Sequence, residues 1–228
     1  MPLDQSFTPL AFSLLEALEA NNEKAWYDAN KAEFEAKLRE PFAELLEAVT
    51  ARLEGTIAPL IGSKKTLFRQ NRDVRFSKDK SPYKTNISGL LTPSGAKGEG
   101  AGILYLHLDK TGGFMATGFY QFPTAKLGLI RDRIVGNPKR FSAMLESLAQ
   151  HDLKLDMASS LSRMPRGYEQ HAEHEHADYL KLKNFLVMEP LDRAAWTSGE
   201  VVEKATHLAL ASADFLGFCA TALQKDAS

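Results

Sequence analysis

Residues 102–121 read GILYLHLDKTGGFMATGFYQ, and this stretch decides the fold. Between Gly102 and Leu108 the side chains alternate, so that Ile103, Tyr105 and His107 fall on one face of a strand and Leu104, Leu106 and Leu108 on the other. Residues 114–121 form a second such run, and Asp109-Lys110-Thr111-Gly112-Gly113 joins the two with an ordinary hairpin length. Upstream the pattern is helical. Thr8-Pro9 supplies an N-cap with proline at the first helical position, Phe7 and Phe12 stand where a hydrophobic staple would, and Phe12, Leu15 and Leu18 continue one face. Asn21-Asn22 ends this helix and is placed to cap the next, which carries Trp26, Asn30, Phe34 and Leu38. Pro41 restarts the pattern for Phe42, Leu45, Leu46, Val49 and Leu53, and Gly55 stops it.

Short alternating segments at 65–69 and 72–76 read as further strands. Downstream, Pro123 opens a helix with Leu127, Ile130 and Ile134 and Gly136 closes it; Asn137-Pro138 caps another with Phe141, Leu145 and Leu148. Residues 151–178 are irregular, 184–188 read as a strand, and a long last helix runs from about 199 to 224. Helices first, strands in the middle and helices last favour an α+β fold over a doubly wound parallel sheet. The expectation is one domain over residues 1–228, a central antiparallel sheet flanked by helices, with the helical segment 1–62 packed on it.

The composition, 44% apolar, 25% charged and 9% aromatic over 228 residues, is that of a globular protein and disfavours disorder or a fibrous fold. The lone Cys219 rules out an intramolecular disulfide framework and suits a reducing compartment. No apolar run reaches the length of a membrane span and the N-terminus has no export signal, so the expectation is a cytoplasmic protein with no membrane partner. A net charge of −1 excludes a global field that recruits nucleic acid. That balance hides asymmetry. Residues 1–62 hold 5 basic and 11 acidic side chains, net −6, whereas residues 63–84 hold 8 basic and 2 acidic, net +6. Either the two segments dock on each other or the basic one serves a ligand.

The basic segment runs RQNRDVRF at Arg69–Phe76 and SKDKSPYKTN at Ser77–Asn86. Arginine forks suit bidentate contact with a phosphate or carboxylate, and an aspartate among them is held ionised and orients them. Ser81-Pro82-Tyr83 signals a turn, which makes the tail of the segment a loop. Two readings follow. In the first, Arg69, Arg72 and Arg75 bind a small anionic or phosphate-bearing ligand, Asp73 orients them, and Lys80, Tyr83 and His107 are candidates for proton transfer. In the second, the protein is a binding or scaffold module and the motif is a structural salt-bridge network.

RxxRDxRF followed by SKDKSPYKTN resembles the signature of domain-of-unknown-function family 2461. Asn21-Asn22-Glu23-Lys24-Ala25-Trp26 with Asn30-Lys31, the strand from Gly102 to His107, the helix residues Leu127, Ile130 and Arg131, and Pro165, Gly167, Tyr168, Leu180-Lys181 and Phe185 extend the resemblance over most of the chain. The family usually shows a glycine-rich run around Gly113–Pro123, where this chain reads GGFMATGFYQFP. The resemblance implies a shared fold and a shared site around 69–86, and brings no activity, substrate or cofactor with it.

Other candidates have weaker chemistry. A mid-strand histidine such as His107 is commonly a hydrogen-bonded, half-buried side chain, and here it shares its face with Tyr105. His171, His174 and His176 suggest a metal, but no single regular structure presents all three and the HExxH spacing is absent, so no metal is assigned. Asp79 with Lys80 resembles a metal-dependent nuclease pair, yet Asp73 and Asp79 are crowded by cations that compete with an ion. Cys219 reads as a buried apolar residue. Gly95, Gly98, Gly100 and Gly102 lack the strand–turn–helix setting of a phosphate-binding loop and read as a flexible loop over the basic site. No cofactor is expected. Nucleic acid is a third reading, disfavoured because the chain lacks a basic stripe and a high pI.

Overall fold

The computed structural model describes residues 7–98 and 102–224. The fold is α+β. In chain order the elements are α1 (Pro9–Ala20), α2 (Lys24–Phe34), α3 (Glu40–Leu53), β1 (Asn86–Leu91), β2 (Ile103–Asp109), β3 (Phe114–Phe119), α4 (Thr124–Gly136), α5 (Pro138–Ala149), α6 (Ala177–Leu180), β4 (Phe185–Pro190), α7 (Arg193–Thr197), α8 (Val201–Ala211) and α9 (Ala213–Gln224). The strands form one antiparallel sheet in the order β1-β2-β3-β4. The chain divides into two compact units: Met1–Glu99, Leu104–Met115 and Glu189–His207 in the first, and Gly100–Ile103, Ala116–Met188 and Leu208–Ser228 in the second.

In the first unit, α1 begins at Thr8 with Pro9 in its first turn and buries Phe12, Leu15 and Leu18. Asn21 closes it, its side-chain amide donating to the Ala17 carbonyl at 2.9 Å. Asn22 does not cap α2, whose N-cap is Glu23; its amide is used elsewhere, as described below. Pro41 does not restart the chain either. α2 runs into α3 through a π-helical turn at Glu35–Arg39, in which the Glu40 N–H reaches back to the Glu35 carbonyl. A proline has no N–H to donate, and the widened turn absorbs the missing bond just ahead of it. α3 buries Phe42, Leu45, Leu46, Val49 and Leu53, and Gly55, at φ 71°, follows its end. Phe7 and Phe42 pack on the fully buried Trp196 of α7, with ring centroids 5.4 and 5.9 Å from it.

β1 pairs with β2 in the register Asn86↔Asp109, Ser88↔His107, Leu90↔Tyr105. Leu104, Leu106 and Leu108 are fully buried, while Tyr105, His107 and Asp109 on the other face are only half-buried, as the alternation predicts. α3 lies against β1 so closely that a Cβ on Gly89 would stand 2.7 Å from the Leu46 side chain.

The strands expected at 65–69 and 72–76 are not formed. Lys64–Thr66 is a 3-10 turn, and residues 67–72 run as an irregular arm antiparallel to 82–89. The arm bonds through isolated contacts: Phe68 N–H to Ser88 O at 2.9 Å, Lys84 N–H to Gln70 O at 2.8 Å and Arg72 N–H to Pro82 O at 2.8 Å. The regular strand is instead β1, whose sequence NISGLL is buried on both faces from Ile87 onward and so carries no alternation to read.

In the second unit, α4 and α5 pack on α9, with Phe141 centred 5.4 Å from Phe218 and Phe119 centred 6.3 Å from Phe215. The single long helix expected at about 199–224 is instead two helices, α8 and α9, interrupted at Ser212. Among the described residues no single helix is long and apolar enough to cross a membrane. Part of the glycine run, residues 99–101, lies outside the described residues.

The hairpin turn between β2 and β3 depends on Gly113, at φ 96°, where an added Cβ would stand 2.1 Å from the His107 carbonyl oxygen. Gly113→Ala therefore combines a left-handed backbone with a clash against main chain, and it should cost about 3 kcal/mol of stability in urea unfolding. Gly55→Ala, with nothing within 4 Å of the new carbon, should cost about 1 kcal/mol. Equal costs at the two positions would show that the hairpin gives way.

Candidate functional site

The arm and its partner strand meet around one buried amide. Gln70 is 5% exposed, and its side-chain nitrogen donates to the carbonyls of Lys84 and Asn86, the latter at 3.1 Å. Asn22 clamps the same strand one residue earlier. Its amide accepts from the Tyr83 N–H and donates to the Tyr83 carbonyl, each at 3.0 Å, as a neighbouring strand would. The Tyr83 ring is buried and stacked on Tyr27, centroids 4.0 Å apart. The π-helical turn holds the arm from below, Arg39 donating to the Phe68 carbonyl at 3.0 Å and Glu35 pairing with Lys64 at 2.7 Å.

Beyond the arm, Arg72 and the loop at 73–81 pair two of their four cations internally, while Lys78 and Lys80 form no ion pair with a carboxylate among the described residues. Arg75 pairs bidentately with Asp73 at 3.0 and 2.7 Å, and Arg72 pairs with Asp79. The Ser81 hydroxyl and N–H, then Arg72, hold the Asp79 carboxyl well below the usual carboxylate range; Arg75 does the same for Asp73. Lys80 folds back to the Val74 carbonyl at 3.0 Å. Phe76 at the tip is 95% exposed. The acidic helices do not dock on the basic segment as a lattice: Glu35 takes Lys64, whereas Glu16 and Glu19 pair with Arg193 and Lys110 outside it.

A polar pocket of about 350 Å³ opens beside the loop, with Glu19, Arg72, Asp79, Ser81, Lys84 and Asn86 among its walls. Lys84 extends from it over the Phe68 ring, 5.1 Å from the centroid, and Lys97 reaches the same ring at 5.6 Å while donating to the Leu67 carbonyl. Neither ammonium, nor the exposed Arg69, forms an ion pair with a carboxylate among the described residues. Burial, then Arg69 and Lys97, hold the Lys84 ammonium below the ordinary lysine pKa.

His107 is gripped from several directions. Its ring stacks on Phe114 with centroids 4.8 Å apart at 17°. Tyr105 Oη lies 2.9 Å from Nδ1, and the Asn86 amide nitrogen lies 3.4 Å from the same atom. Two donors converging on one ring nitrogen make it the acceptor and leave the ring proton on Nε2, which faces Asp109 Oδ2 at 3.8 Å. The other Asp109 oxygen is held by the Thr111 N–H and hydroxyl at 2.7 and 2.6 Å, so the hairpin turn itself aims the carboxylate.

A family model described as "Conserved hypothetical protein (DUF2461)" matches residues 10–218. The chain belongs to the DUF2461 family. No curated protein and no solved structure matches it. In this DUF2461 chain the sequence-nominated residues fall into separate groups. Arg72 and Tyr83 both line the pocket, the Arg72 charge shared by Asp79; Arg75 and Asp73 answer each other; and Lys80, Tyr83 and His107 sit in three different hydrogen-bond networks. Asn86 joins the pocket to His107. Gln70, Asn22, Lys97 and Asp109 were not legible as site residues: the first three act through partners 14 or more residues away, and only Asp109, two residues after His107 on the same strand face, carried a local signal. The histidine stretch of the second unit is hydrogen-bonded: His176 Nε2 meets Ser142 Oγ at 3.0 Å and Pro138 O at 3.2 Å, and His174 Nδ1 accepts the His176 N–H.

Burial lowers the His107 pKa below 6.5, with Lys84 adding to the effect and Asp109 opposing it. The folded state thus prefers the neutral ring. This contribution to stability is complete above the unfolded pKa of about 6.5 and drains away as pH falls through the lower folded value. In an NMR titration the ring should give a midpoint below 6.5. Lys84→Met should raise it and Asp109→Asn should lower it further. A wild-type midpoint above 6.5 would contradict the buried, neutral assignment.

Proposed function

We propose that the protein is an anion-binding enzyme whose ligand carries a phosphate or a comparable anionic group. The observation that carries this reading is the cluster of cations around Phe68: Lys84 and Lys97 flank one ring, and neither they nor Arg69 pair with a carboxylate among the described residues. Like charges brought together repel, and a half-buried ammonium such as Lys84 is costly without a counter-charge; a bound anion supplies one. Lys84 also lines the pocket, so a charge without a carboxylate partner among the described residues borders a space large enough for a small ligand. In this reading Lys84, Arg69 and Lys97 bind the anion and Arg72 completes the wall. Neutral His107, linked to the pocket by Asn86, is the proton-transfer group. Arg75, Asp73 and Lys80 keep the loop in shape. A reducing, cytoplasmic setting accords with the lone Cys219, whose thiol is buried and pushed up in pKa by that burial.

The scaffold reading draws on a different observation, the self-neutralised pairs Arg72–Asp79 and Arg75–Asp73. Calorimetric titration with inorganic phosphate separates the two. The enzyme reading expects saturable binding that weakens steeply with salt, falls about tenfold in Lys84→Met, and stays within about twofold in Arg75→Ala. Absence of binding by the wild type, or equal losses in both variants, would favour the scaffold.

A further inference from the structure

We propose that the Tyr105 hydroxyl is the acid–base group of this site, with His107 as its base and Asp109 as the counter-charge that receives the imidazolium. The proposal rests on the reading above for its anionic ligand and adds that the ligand carries an acidic proton; its geometry stands independently. Tyr105, His107 and Asp109 occupy alternate positions of β2 and so project from one sheet face. The hydroxyl is 2.9 Å from His107 Nδ1, and the carboxylate is 3.8 Å from Nε2. The order is phenol, imidazole, carboxylate, in which the outer members bracket a ring fixed by the Phe114 stack. Charged groups around the ring come from two strands, Asp109 on β2 and Lys84 immediately before β1.

Tyr105 also neighbours the ring that the cations flank. Its ring meets Phe68 edge-on, centroids 6.3 Å apart, and Phe68 is the ring flanked by the Lys84 and Lys97 ammoniums. An anion held there lies beside the phenol. The Tyr105 proton passes to His107 Nδ1 as the phenol oxygen takes a proton from the ligand; the ligand gains one negative charge beside the ammoniums, and His107 becomes an imidazolium facing Asp109. No oxidant or further reactant is needed.

Labelling with an aryl sulfonyl fluoride reads this activation without a known substrate. The Tyr105 Oη–S bond forms as the S–F bond breaks, fluoride leaves and the phenol proton goes to His107. Followed by mass spectrometry, Tyr105 should label faster than Tyr120, although Tyr120 is 59% exposed and Tyr105 only half-buried. The rate should fall roughly a hundredfold in His107→Gln, which keeps an acceptor but offers no base. In the wild type it should follow a pH profile that inflects at the His107 titration midpoint. Asp109→Asn should move that inflection to lower pH, and it serves as the arm that remains if His107→Gln unfolds. Labelling of Tyr105 no faster than Tyr120, or a profile with no inflection at the His107 midpoint, would overturn the relay. Inorganic phosphate should protect Tyr105. Activated Tyr105 without protection would sink the anion site and leave the relay standing, whereas calorimetric phosphate binding with an unactivated Tyr105 would do the reverse.

Discussion

The buried carboxamide of Gln70 bonds the two limbs of the basic motif together, and the placement of every other group in the first unit's site follows from it. Its nitrogen satisfies the carbonyls of Lys84 and Asn86 across the gap between the arm and the partner strand. Leaving such buried acceptors unmet costs about 1–3 kcal/mol each, so the amide decides the spacing of the limbs. Once 67–72 is fixed against 82–89, Lys84 is directed over Phe68 and Asn86 is brought to His107. Asn22 repeats the device one residue earlier by satisfying both main-chain groups of Tyr83. Two side-chain amides thus do what a continuous ladder does in a regular sheet, and leave room for a pocket beside it.

Charge is distributed on the same logic. Arg72 and Arg75 are matched by the loop's own Asp79 and Asp73, which stabilises a local shape and leaves little net field at the pairs. Among the described residues the loop's Lys78 and Lys80, and further back Arg69, Lys84 and Lys97, form no ion pair with a carboxylate. Segments of opposite net charge therefore need not dock on each other as a lattice: Glu16 and Glu19 of the acidic helices pair with Arg193 and Lys110, and Glu35, on the π-helical turn, pairs with Lys64 of the basic segment. The hairpin residues from Asp109 to Phe114 have a second task besides turning the chain. They supply the carboxylate, its anchoring threonine and the stacking ring for His107.

How much of this was legible in the sequence depends on the range of each contact. The alternation in GILYLHL gave the face shared by Tyr105 and His107, and helical spacing gave α1, α3, α4 and α5, because these signals are local and repeated. β1 was hidden because a strand buried on both faces has no alternation, and the arm at 67–72 mimicked a strand because its residues are extended without being regularly paired. Pro41 looked like a break, since a π-helical turn that absorbs the lost hydrogen bond leaves no mark in residue type. The motif singled out a segment that borders the pocket but not which of its charges pair with one another. Which arginine is spent on which aspartate, and that Lys97 returns to Phe68, are consequences of folding at a distance.

We propose that the cations around Phe68, which form no ion pair with a carboxylate among the described residues, hold an anion rather than being a structural by-product. A backbone and histidine-ring NMR titration with inorganic phosphate at constant pH and ionic strength tests this. Anion binding at this place gives saturable shifts concentrated at Phe68–Arg69, Lys84 and Lys97, with the His107 ring responding in step. Shifts confined to the loop tip at Arg75–Lys80, or no saturable shifts at all, would contradict it.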